Sequence, residues 1–89
     1  MEYKELLNIY RNQIDTLDRE LIYLLSRRFE IVKQIWIIKK ENNIPALQSD
    51  RWEQLLNENI EVAKEFMVSE SLIRDLWERI HEESLKIEK

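Results

Sequence analysis

Apolar residues return every seven positions from Leu7 onward, and this beat restricts the chain more than any other feature. One stripe reads Leu7, Ile14, Leu21, Arg28, Ile35, and the other Tyr10, Leu17, Leu24, Ile31, Ile38. Together they form an a/d seam sustained over more than four heptads, which predicts a long helix. Nothing between Glu5 and Glu41 breaks it, because the chain has no glycine and its single proline is Pro45. Asn42-Asn43-Ile44-Pro45 then ends it, since the residue before a proline avoids helical torsions. A helix of roughly 37 residues at ~1.5 Å each spans about 55 Å. A compact domain of this size is only about 30 Å across. The rest of one chain cannot sheath such a rod, so a second copy is expected along its exposed half. The expected fold class is all-α, with three helices per chain and a long first helix in an intertwined homodimeric helical bundle. Residues 1–89 are expected to form a single domain.

A second helix is expected to start around Ser49 or Asp50, where Asp50 and Glu53 have capping-box spacing. It carries Trp52, Leu55, Leu56, Ile60 and Ala63 and ends near Phe66. Ser69 suits the N-cap of a third helix, with Glu70 in its first turn. That helix is expected to bury Ile73, Leu76, Ile80 and Ile87.

Composition excludes several classes of function. Without cysteine there is no disulfide framework, thiolate metal site or thiol nucleophile, and one histidine, His81, cannot build a histidine-rich metal site. A net charge of −4 argues against a nucleic-acid partner, which wants a basic footprint. No uncharged run approaches the ~20 apolar residues of a membrane span. Met-Glu-Tyr-Lys-Glu at the start does not resemble a signal peptide, so a cytoplasmic protein is expected. The missing glycine also removes any glycine-rich phosphate loop.

The seam itself reads first as plain packing, a helical bundle or coiled-coil dimer. Arg28 interrupts that reading, because it holds an a position between Leu21 and Ile35, where an unpaired buried cation is costly. Lys39 lies eleven residues further on, at nearly the same helical azimuth and about 16 Å along the axis. The two long side chains can converge on a small anion. Arg11 lies about 25 Å from Arg28, too far to share that site within one helix. In an antiparallel pair of first helices, the partner's Arg11 slides towards it, and the composite pocket suits a ligand with two carboxylates. Arg51 stands at the start of helix two, where free amides also favour anions. Trp77, His81, Ser84 and Glu88 share one face of helix three. His81 taken alone reads as a packing or hydrogen-bonding residue rather than a catalyst. The remaining cations, Arg19, Arg27, Lys33 and Lys40, read as solvated surface charges.

These residues fall into a familiar order. Tyr10-Arg11-Asn12-Gln13-Ile14-Asp15-Thr16-Leu17-Asp18 resembles the opening motif of the all-α chorismate mutases, an arginine followed by I-D-x-x-D. Leu24-Leu25-Ser26-Arg27-Arg28 with Lys39, then Ile44-Pro45, Asp50-Arg51 and Ile80-His81-Glu82-Glu83-Ser84, continue the likeness over nearly the whole chain. The resemblance implies an intertwined dimer with two equivalent sites that rearrange chorismate to prephenate without cofactor or metal. It implies candidate catalytic residues Arg11, Arg28, Lys39 and Glu88. Arg11 of the partner subunit and Arg28 would hold the carboxylates, and Lys39 a carboxylate and the ether oxygen of the breaking bond. Candidate substrate-binding residues are Gln48, Arg51, Trp52, His81 and Ser84. The reaction is a [3,3] rearrangement, so it needs a dianion held in its reactive shape and fixed positive charge at the ether oxygen, not a nucleophile or base.

Three departures from the family pattern stand out. Trp52 occupies a position where many members carry a glutamate for the ring hydroxyl; it either weakens binding or marks a subfamily with another ring contact. Gln48 replaces an acidic loop residue. Glu88 stands where many members have a glutamine that donates to the ether oxygen. An ionised carboxylate only accepts hydrogen bonds, so Glu88 must carry a proton to do the same. Turnover is then expected to be greater in mild acid; if Glu88 instead frays into solvent, it contributes nothing. Alternative readings are an isochorismate pyruvate lyase, which shares the scaffold, and a non-catalytic helical dimer.

Overall fold

A computed structural model of the chain describes residues 2–89. These form three helices, α1 (Tyr3–Glu41), α2 (Ser49–Glu65) and α3 (Glu70–Ile87), and no strand among the described residues. None of the helices is long and apolar enough to cross a membrane, again among the described residues. The chain divides into two compact units, one up to Ile31 and one from Val32 onward.

The 39 residues of α1 follow from an uninterrupted run without glycine or proline. Glu5 in its first turn and Lys39 and Lys40 in its last complement the helix dipole. Its seam is bare: Leu7, Tyr10, Ile14, Leu17, Leu21, Leu24, Ile31, Ile35 and Ile38 are each 42–61% exposed. Among the described residues of the first unit, only Leu25, Arg28 and Phe29 are even half-buried.

Both ends where a helix must stop use the same device without glycine. After α1, Asn43 adopts a left-handed conformation (φ 56°), and Ile44 N–H reaches back to Lys39 O at 2.8 Å. After α2, Met67 does so (φ 59°), with Val68 N–H on Ala63 O at 2.9 Å and Met67 N–H on Lys64 O at 3.2 Å. These are the paired bonds of a Schellman motif, which satisfy the last carbonyls of each helix.

In the second unit, α2 packs against α3. Leu56, Ile60 and Ala63 return at helical spacing on α2 and are buried, as are Ile80 of α3 and Val32 of α1. Ile73 and Ile87 are half-buried, but Leu76, expected inside, is 36% exposed. The α3 cap is as expected: Ser69 Oγ accepts from Leu72 N–H at 3.3 Å. The α2 cap is not. Gln48 holds the N-cap position in extended conformation (φ −120°, ψ 95°) and makes no side-chain cap bond. Asp50 is already helical, so no capping box with Glu53 forms; its charge serves the first turn instead.

Candidate functional site

The second unit gathers most of the chemistry at the end of α1, the 42–48 connection and the facing parts of α2 and α3. Its centre is Lys39. The ammonium donates to Ala46 O at 2.7 Å and to both oxygens of Glu88, Oε2 at 3.1 Å and Oε1 at 3.3 Å. The two carboxylate oxygens lie too close together to take separate N–H groups, so Glu88 receives one forked N–H and Ala46 O another. The Lys39 and Glu88 side chains are only 12% and 7% exposed. Partners 49 residues apart are thus locked in a nearly dry environment, where losing either would leave an uncompensated charge.

Glu88 is therefore not frayed. It is the C-cap of α3, with its N–H bonded to Ser84 O at 3.1 Å, and it is buried. Ser84 turns its hydroxyl back to Ile80 O at 3.0 Å, a local bond that keeps the side chain close to the helix. One face of α3 thus presents His81, Ser84 and Glu88 as expected from spacing.

Trp52 and His81 stack face to face, with ring centroids 4.1 Å apart and planes 13° from parallel. Both are half-buried and join α2 to α3. Trp52 thus has a structural partner, an aromatic plate set against the His81 imidazole. Beside it, the α2 entry borders an open concavity of about 450 Å³, lined by Pro45, Leu47, Gln48, Asp50, Arg51 and Gln54. Gln48 and Arg51 meet there, and Asp50 adds a carboxylate to the lining. Of the two candidates in the first unit, Arg11 is exposed and Arg28 half-buried.

Elsewhere on α3 the charges are ordinary. Glu83 accepts from Arg79 at 2.7 Å and from Lys86 at 3.1 Å, and these hydrogen bonds, Arg79's first, hold its carboxyl below the usual carboxylate range. Lys40 lies 5.6 Å from the centre of the Trp36 ring, a cation–π contact that makes it more than a solvated charge. The Ala46 carbonyl is the partner of Lys39 that residue types could not signal, since a backbone acceptor leaves no mark in the sequence; only the Ile44-Pro45 turn hinted at a fixed loop.

Residues 10–89 match the family described as chorismate mutase type II. The chain is 34% identical over 84 residues to the T-protein of Haemophilus influenzae, a match covering 94% of this chain and 22% of that protein. It is 31% identical over 78 residues to the T-protein of Enterobacter agglomerans, covering 88% of the chain and 21% of that protein. A bifunctional chorismate mutase/prephenate dehydratase of Buchnera aphidicola is 30% identical over 81 residues, 91% of the chain and 21% of that protein. The chain thus spans between a fifth and a quarter of the length of these relatives. No solved structure matches it. With the family match running over all but the first nine residues, the chain belongs to the chorismate mutase type II family.

Proposed function

We propose that this chain catalyses the [3,3] rearrangement of chorismate to prephenate, as a homodimer with composite sites. The observation that carries the reading is that all nine candidate residues, from Arg11 to Glu88, fall within the span matched by the family. In the reaction one C–O bond breaks and one C–C bond forms within the same molecule, with no co-reactant. Arg28 and Arg11 of the partner subunit would hold the two carboxylates. Lys39 would face the ether oxygen, where electron density grows, and a fixed cation in a water-poor pocket is most effective there. Glu88 can join it only as the protonated acid. Gln48, Arg51, Trp52, His81 and Ser84 would line the ring. The bare seam of α1 supports the dimer, because nine large apolar side chains at 42–61% exposure form a continuous stripe suited to a second copy. The reading includes a cytoplasmic setting and a dianionic small molecule, not a nucleic acid or a membrane, as ligand.

The test is to incubate purified protein with chorismate and, separately, isochorismate. Prephenate from chorismate is expected. Pyruvate from isochorismate without prephenate from chorismate would replace the mutase with a lyase, and inertness towards both would leave a structural dimer.

A further inference from the structure

Lys39 already commits its charge within the chain. One N–H reaches Ala46 O at 2.7 Å, and another is forked between Glu88 Oε2 and Oε1 at 3.1 and 3.3 Å. An oxygen arriving at this ammonium would compete with Glu88 for that charge. It would also face a carboxylate that is 7% exposed and has acceptors only. Two anions cannot share one dry cation without strong repulsion.

We propose that ionised Glu88 is a built-in competitor for the anion subsite at Lys39, so that a ligand oxyanion binds there only by displacing it. The inference rests on the functional reading above and adds a gate to its site. The exchange is local. Glu88 is the C-cap of α3 (φ −85°, ψ 47°), beyond the last helical residue, and its backbone is tied by the bond to Ser84 O. Rotation of its side chain therefore releases the carboxylate without unwinding α3. The bond from Lys39 to Ala46 O can persist, keeping the ammonium aimed while the N–H forked between the Glu88 oxygens is handed to the ligand. Glu88 thus makes the empty site electrically neutral and shields Lys39 from incidental anions. A ligand must outbid a carboxylate held in a buried ion pair by a forked charge-assisted bond, which favours one that brings a second anionic group for anchorage elsewhere.

The experiment compares wild type and Glu88→Gln, both confirmed folded by circular dichroism. Prephenate affinity is measured by calorimetry, with chorismate turnover followed on the same samples. The neutral amide competes weakly, so prephenate should bind Glu88→Gln roughly ten- to a hundredfold more tightly, the range set by charge-assisted hydrogen bonds. Equal affinities would overturn the gate while turnover left the functional reading intact. Absence of both turnover and prephenate binding in the two proteins would overturn gate and reading together. If Glu88→Gln does not fold, Glu88→Asp takes its place: a carboxylate withdrawn by one methylene should hold Lys39 less well and give tighter prephenate binding than wild type.

Discussion

Met67→Gly should stabilise this protein, although it deletes a large side chain. Met67 has φ 59° and is 94% exposed, so its thioether buries almost nothing that the substitution could remove. Its left-handed backbone costs roughly 1–2 kcal/mol for a residue with a Cβ. Glycine relieves this but brings back about 0.5–1 kcal/mol of extra chain entropy in the unfolded state. The Schellman bonds to Ala63 O and Lys64 O use backbone atoms only and survive the change. The net gain is about 0.5–1 kcal/mol. For a chain of this length, that corresponds to a rise in Tm of about 3–6 °C. Thermal unfolding followed by circular dichroism measures it, at fixed chain concentration because self-association would itself move the midpoint. Met67→Ala is the control, losing the side chain but keeping the Cβ, and should lie within about 0.5 kcal/mol of wild type. Asn43→Gly should gain less than Met67→Gly, since asparagine visits the left-handed region more readily. A Met67→Gly protein no more stable than Met67→Ala would refute the argument that this turn is strained by the lack of glycine.

Arg28→Met should fold and lose activity by orders of magnitude in a chorismate-depletion assay, as losing one oriented charge contact costs about 3–4 kcal/mol in the transition state. Lys39→Met should also lose activity but, by leaving the buried Glu88 carboxylate alone, should cost about 3–5 kcal/mol of stability in denaturant titration. The double variant Lys39→Met/Glu88→Met should recover the stability and remain inactive; recovered turnover would remove Lys39 from the site. Light scattering should report twice the 11.0 kDa chain mass, and mixing Arg11→Ala with Arg28→Ala chains should restore activity through heterodimers with one intact site. No recovery after proven subunit exchange would exclude sites shared between chains. Because Glu83 has a lowered pKa in the fold, its contribution is present above the unfolded carboxylate range and disappears as pH falls through the folded value. Glu83→Gln should therefore lower Tm slightly at neutral pH and not at strongly acidic pH.

Periodicity made α1 legible almost to the residue, because a seam without glycine or proline leaves helix no competitor. Ser69 was legible as a cap for the same local reason. The capping box at Asp50 was not formed, since its spacing says nothing about where the extended backbone after Pro45 enters the helix. Met67 gave no signal as a left-handed residue because methionine has no preference for that region; tertiary placement of α3 imposes it. At the site, the α3 face of His81, Ser84 and Glu88 followed from helical spacing. The pairings that give it chemistry did not. Lys39 meets Glu88 and Trp52 meets His81 across helices, and contacts between helices leave no trace in the spacing of a single sequence.

The parallel contact between Trp52 and His81 also gives the protein an optical property. Imidazole held against an indole face drains its excited state, most strongly when the imidazole is protonated, so Trp52 should be the dimmest of the three tryptophans. Trp36 lies beside Lys40 on α1, and Trp77 is half-buried on α3, one turn before His81. Separation of α2 from α3 should then brighten the emission rather than merely shift its colour. The α2–α3 pair carries its own light switch, readable without a dye and at concentrations far below those that calorimetry needs.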